Sequence, residues 1–202
     1  MPHDPSPDAG PDAGPDATGV QRTARLVLSP PRLSDLEDVF ALYSDPAVWE
    51  HLPSGRHADR TRTALMLERV RESWEVAGLG SWVARLAEGP QAGRLVGTGG
   101  CDLRLGVAWN LGYRLHRRDW GHGYASEVSA AAVAAARRAY PDLPVTAYLL
   151  EGNTRSAAAA QRAGLFEVWR GPDAGNPDPS AVRVVFADRP VSRTALELLT
   201  AT

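Results

Sequence analysis

Residues Arg118 to Glu127 read Arg-Asp-Trp-Gly-His-Gly-Tyr-Ala-Ser-Glu, an arginine-flanked turn with two glycines running into a long alanine-rich stretch. Glycine has no side chain, so the backbone at Gly121 and Gly123 can turn tightly and bring its amides close to a ligand. Where such a turn opens a helix, the unpaired first-turn amides and the positive end of the helix dipole converge on one point and favour an anion. Arg117 and Arg118 add charge beside it. The chemistry is that of a phosphate cradle, although two glycines alone also describe an ordinary loop ahead of a helix. Gly121-His122-Gly123 is not followed by the Lys-Ser/Thr of a nucleotide-binding P-loop, which disfavours that alternative.

Other reactive types are sparse. Glu151, Glu50 and His51 are candidates to take a proton through water, and each alone reads more simply as a solvated surface group; histidine suits base work by its titration range. His122 lies inside the glycine turn, where its backbone amide matters more than its ring. Cys101 is the single cysteine, which excludes an internal disulfide and a cysteine metal cluster; on an apolar strand it reads as a small core residue. No metal site is expected.

These residues must be held by a mixed α/β framework. Leu26 and Leu28 alternate with Arg25 and Val27 in a first strand that ends at Pro30-Pro31. Ser34 and Glu37 form a Ser-x-x-Glu capping box ahead of Leu36, Val39, Phe40 and Tyr43 at helical spacing. A loosely periodic helix is expected over 58–76, then strands over 81–86, 94–103 and 107–115 separated by Gly-containing turns. The helix after the glycine turn, 123–140, carries Val128, Ala131, Ala132, Ala135 and Ala139 on one face, small enough to let it sit close to a sheet. Glu127 in its first turn and Arg137 and Arg138 in its last complement its dipole. A strand over 145–150, a helix over 154–163 capped by Asn153, a hairpin of 165–169 with 182–187, and a short helix over 191–199 complete the pattern.

The glycine turn resembles the pyrophosphate loop of the Gcn5-related N-acetyltransferases, Gln/Arg-x-x-Gly-x-Gly/Ala, with Arg118, Gly121 and Gly123 in register. Trp120 before the first glycine and Tyr124-Ala125-Ser126-Glu127 after the second resemble the branch that acetylates ribosomal-protein amino termini. Glu151-Gly152-Asn153-Thr154-Arg155-Ser156, with Gly164-Leu165, is similar to that family's Asn-x-x-Ser and Gly-Phe segment at the family's spacing. Residues 23–28 and 110–115 resemble its first strand and the strand before the loop, and the likeness covers roughly 22–190.

The resemblance implies a central, mostly antiparallel twisted sheet of six to seven strands, splayed at the acetyl-CoA site and flanked by about four helices. It implies direct transfer of an acetyl group from acetyl-CoA, the co-substrate, to a primary amine on a protein terminus or a small molecule. Tyr113, Leu115, Arg117, Arg118, Trp120, Gly121, His122, Gly123, Tyr124, Ala125, Asn153 and Ser156 are the implied acetyl-CoA residues. A backbone amide near Leu115 would stabilise the oxyanion. Ser156 would serve the leaving thiolate, because Ala160 stands where many relatives have a tyrosine. Asn110 stands where some members carry a glutamate base, so deprotonation needs another group, with Glu151 among the candidates. Acidic residues in the 45–57 and 171–180 loops hint at a cationic acceptor. The alternative class is a non-catalytic acyl-CoA-binding module of the same fold.

Composition agrees with one enzyme domain: 202 residues with 44% hydrophobic content are enough for a sizeable core. No apolar run nears the roughly 20 residues of a membrane span and no secretory signal opens the chain, so a cytoplasmic protein without membrane or nucleic-acid partners, monomer or homodimer, is expected. All 22 basic residues are arginine, as GC-rich coding in actinobacteria would give. Residues 1–21 repeat Pro-Asp-Ala-Gly and hold four Asp; beyond them stand 22 basic against 20 acidic groups, too slight an excess for a nucleic-acid face. That first segment reads as a disordered tail, 22–190 as the catalytic domain and 191–202 as a terminal helix or tail.

Overall fold

The computed structural model describes residues 14–174 and 176–201. The chain runs β1 (Gln21–Arg22), β2 (Leu26–Ser29), α1 (Leu36–Ser44), α2 (Arg60–Ala77), β3 (Ser81–Leu86), β4 (Leu95–Arg104) and β5 (Ala108–Leu115). It continues with α3 (Tyr124–Ala139), β6 (Val145–Leu150), α4 (Thr154–Arg162), β7 (Phe166–Pro172), β8 (Val182–Ala187) and α5 (Arg193–Thr200). The strands form one sheet in the order β1-β2-β3-β4-β5-β6-β8-β7. Every neighbouring pair is antiparallel except β5 with β6. This is one strand beyond the expected six to seven; the extra one, β1, is two residues long and too short to show a period of two in sequence.

Two apolar layers cover the sheet. Leu26, Leu28, Trp82, Val96, Cys101, Trp109, Leu111 and Leu115 pack with the alanine face of α3, whereas Val39, Leu42, Trp49, Leu67, Val83 and Leu95 form the layer under α1 and α2. Close seating of α3 needs glycine on the sheet: a Cβ at Gly99 would lie 2.7 Å from Val128 Cγ1 and 2.8 Å from Tyr113 Cβ. Cys101 is free and buried, as a core residue.

Two local readings change. The Ser34–Glu37 capping box does not form, because Ser34 falls inside a 3-10 turn, Leu33–Asp35. There the Asp35 carboxylate accepts from the Arg32 amide at 2.7 Å and pairs with Arg85, while Glu37 pairs with Arg60. Residues 1–13 of the expected tail lie outside the described residues, but folded structure begins before Arg22. The Asp16 carboxylate accepts from the Thr18 and Val20 amides, the Gly19 carbonyl accepts from the Trp82 indole at 2.9 Å, and Gln21 is buried in β1. Among the described residues no helix is long and apolar enough to cross a membrane.

Candidate active site

The parallel pair β5 and β6 keeps register only at Trp109 with Val145 and Asn110 with Thr146. Beyond that, β6 turns to β8 while β5 stays with β4 as far as Leu115. The Trp109 amide donates towards β6, to the Pro144 carbonyl at 2.9 Å, and the His116 amide donates towards β4, to the Val96 carbonyl at 3.0 Å. Alternation along the strand therefore turns the N–H groups of Tyr113 and Leu115 to the β6 side, where no strand meets them. A cleft of about 1010 Å³ opens at this parting.

The glycine loop forms one wall. Gly121 and Gly123 have φ of 79° and 82°, left-handed values that glycine adopts without a Cβ penalty, and Gly123 is the N-cap of α3. The amides of Tyr124, Ala125 and Ser126, in the first turn, have no intrahelical acceptor; those of Gly121, His122 and Gly123 find none among the described residues. Two arginines from other elements fix the loop. Arg94 grips the buried Asp119 with two bonds of 2.8 and 2.7 Å, and Arg25 donates to the His122 carbonyl at 2.8 Å.

Glu127 explains why Arg25 is there. Its carboxylate accepts from the Thr23 hydroxyl, the Arg25 amide and the Arg25 side chain. Burial pushes its pKa up, but those donors outweigh burial and hold it below the usual carboxylate range. Glu127 thus ties α3 to the start of β2, a larger role than complementing a dipole.

The opposite wall is the start of α4. Asn153 caps it as expected, its Oδ1 accepting from the Ser156 amide at 3.2 Å, and its Nδ2 makes no hydrogen bond among the described residues. The Tyr113 hydroxyl, reaching from β5, donates to Ser156 Oγ at 3.3 Å. Trp120 closes the lower edge: its indole donates to the Leu115 carbonyl at 3.0 Å, and the guanidiniums of Arg117 and Arg155 lie 5.5 and 5.1 Å from its ring.

Of the residues expected at this site, Tyr113, Leu115, Trp120, Gly121, Gly123, Tyr124, Ala125, Asn153 and Ser156 line the cleft together. Four stand outside the lining. Arg117 pairs with Glu50 at 2.6 Å, Arg118 is exposed beside Asp119 at 3.7 Å, and the His122 ring turns back to the Trp120 carbonyl and stacks on Tyr124. Glu151 stands outside it as well, its exposed carboxylate paired with Arg170.

A second cavity, about 350 Å³, adjoins the cleft through the parting and shares His51, Tyr113, Arg114, Asn153 and Ser156 with it. His51 stacks on Trp49, and its Nε2 lies 3.0 Å from an Arg114 nitrogen. A guanidinium only donates, so Nε2 is the acceptor and the ring is neutral with its proton on Nδ1. Burial, and then the Arg114 charge, lower the His51 pKa. Sequence reading gave Arg114 and Arg155 no role, although alternation from Tyr113 and Leu115 already turned Arg114 to the opposite face of the sheet.

Solved structures share this architecture. A GNAT-family acetyltransferase from Bordetella pertussis is 20% identical, with a TM-score of 0.69 over 84% of this chain and 99% of that one. An acetyltransferase from Agrobacterium tumefaciens is 25% identical, with a TM-score of 0.66 over 83% and 92%. RimL, a ribosomal-protein α-N-acetyltransferase solved in complex with coenzyme A, is 16% identical, with a TM-score of 0.68 over 84% and 96%. The model of the acetyltransferase (GNAT) domain matches residues 25–165, and the chain belongs to that family of acetyltransferases.

Proposed function

We propose that the cleft binds acetyl-CoA and that the protein transfers the acetyl group to a primary amine entering from the second cavity. The observation that carries this is the parting of β5 from β6 beside the glycine loop, with Tyr113 and Ser156 joined across it. The donor set suits the co-substrate. Amides of 121–126 and the Arg155 guanidinium suit its phosphates, and the unpaired strand amide of Tyr113 suits its amide-bearing arm. RimL, of the same fold, was solved with coenzyme A.

Acetyl-CoA supplies the acetyl group as a thioester and leaves as the thiolate of coenzyme A. The Leu115 amide faces the parting and donates to the carbonyl oxygen as negative charge builds there. Ser156 donates to the sulfur as the C–S bond breaks; it can do so because its oxygen already accepts from Tyr113, which frees its own proton to point into the cleft. His51 takes the amine's proton as the N–C bond forms. Its lowered pKa keeps it neutral at pH 7, and it faces both cavities, whereas Glu50 and Glu151 are committed to arginines.

Thiol release from acetyl-CoA against a panel of primary amines tests the reading, alongside calorimetric binding of coenzyme A. The expected result is binding together with release that depends on an amine. Binding without release for any amine would favour an acyl-CoA-binding module, and no binding would sink both.

A further inference from the structure

Arg114 is the half-buried guanidinium on the floor between the two cavities. It lies 3.8 Å over the Trp49 ring and is held by a neutral partner, His51 Nε2. Among the described residues it has no carboxylate, whereas Arg25, Arg94 and Arg117 each have one and Arg85 has two. Burial lowers its pKa, and only the phenols of Tyr43 and Tyr113, rather than a carboxylate, oppose the effect. A guanidinium partly stripped of water, with no counter-charge, is a binding group for an anion that the protein itself does not supply.

The surroundings point the same way. Gly112 is next to Arg114 on the same face of β5, and a Cβ there would meet nothing within 4 Å, so the floor beside the guanidinium is open. The second cavity is lined by Arg104, Arg114 and Arg183, and its one lining carboxylate among the described residues, Asp173, pairs with Arg183. The acidic loops that hinted at a cationic acceptor have other partners: Asp45 caps a turn through the Ala47 amide, Glu50 holds Arg117, and Asp178 accepts from Ser180. A net positive cavity repels a cation and favours an anion.

We propose that Arg114 anchors a carboxylate carried by the acceptor, so that the acceptor class is a small amine bearing a carboxylate. This rests on the acetyltransferase reading and deepens it. The planar fork of the guanidinium takes a carboxylate through two parallel bonds. A carboxylate there competes with His51 for the same nitrogen, which returns the Nε2 lone pair to the cavity as the acceptor arrives. Anchoring and freeing of the base are then one exchange of partners.

Calorimetry on the full chain, with and without saturating coenzyme A, compares N-acetylglycine, N-acetyl-β-alanine and N-acetyl-γ-aminobutyrate with their primary amides. At least one carboxylate is expected to bind about tenfold or more tighter than its amide. Arg114→Gln is expected to erase that difference while still binding coenzyme A, which shows the variant folded, and Arg114→Lys to keep part of it. Equal response to every acid and its amide, or a preference that survives in Arg114→Gln, overturns the proposal. Failure of the unaltered protein to bind coenzyme A would instead overturn the acetyltransferase reading, and the comparison on coenzyme-free protein still decides the role of Arg114.

Discussion

Tyr113 and Ser156 come from opposite walls of the cleft, one on β5 and the other in the first turn of α4, and their hydroxyls meet at 3.3 Å. Because Tyr113 donates, the Ser156 proton is directed into the cleft. Ser156→Ala is expected to lower kcat by about ten- to a hundredfold with little change in KM for acetyl-CoA, since a donor to the leaving sulfur acts mainly in the transition state. Tyr113→Phe should lower it less, and the double variant should be no worse than Ser156→Ala, because tyrosine acts through serine. Steady-state kinetics of the three variants check this; additive losses would separate the two groups.

Glu127 and Arg25 hold the glycine loop from behind without lining the cleft. Glu127→Ala removes the acceptor of the Thr23 hydroxyl and of two Arg25 donors. The expected cost is about 1–3 kcal/mol of stability, with a rise in the dissociation constant of coenzyme A because Arg25 loses its hold beside the His122 carbonyl. Denaturant titration and calorimetry measure the two effects. A stability loss with unchanged coenzyme affinity would make the clasp purely architectural.

Gly121 stands at φ 79° over open space. Gly121→Ala therefore meets no steric clash and costs about 1–2 kcal/mol from the left-handed backbone alone. Its methyl adds bulk where the loop amides face the cleft, so coenzyme A affinity should fall about tenfold while the fold persists. Unchanged affinity would mean that the phosphates lie elsewhere.

Acid should act on this protein earlier than carboxylate chemistry alone would cause. Burial, first among the causes, lowers the pKa of His51, His57 and His116. The unfolded chain then binds more protons than the folded one between those lowered values and about 6.5, so stability is full above that pH and is lost as pH falls through the window. Glu127 and Asp188, also lowered, add their loss only further down, below the ordinary carboxylate range. Tm is expected to fall between pH 7 and pH 5; a flat Tm there would contradict it.

His51 gives kinetics a matching signature. The base limb of kcat/KM should bend below pH 6.5, and His51→Gln should remove that limb with a loss of about a hundredfold. A limb above pH 7 would exclude His51 as the base.

Sequence reading picked out nine residues of the cleft lining because they follow local rules. Glycines at 121 and 123, an asparagine cap at 153 and alternation through Tyr113 and Leu115 are visible in short windows, and the family's spacing joins the two motifs. It missed features that depend on distant partners. The Ser34–Glu37 pattern yielded to a 3-10 turn once Arg32 and Arg85 took Asp35, and Glu37 went to Arg60. Glu151, adjacent to the second motif in sequence, was drawn off by Arg170 on β7. Arg114 looked like one charge among many, and only the packing of Trp49 and His51 above it, with no carboxylate paired to it among the described residues, sets it apart.

The two-rung ladder between β5 and β6 also has a mechanical consequence. It makes the sheet two slabs, five strands and three, fastened at one corner with an internal edge left bare. An exposed strand edge is a template for pairing, so any guest that lays an amide along Tyr113 and Leu115 supplies a missing rung. Occupancy would then splint the slabs, bracing a seam that two rungs alone hold in the unliganded protein.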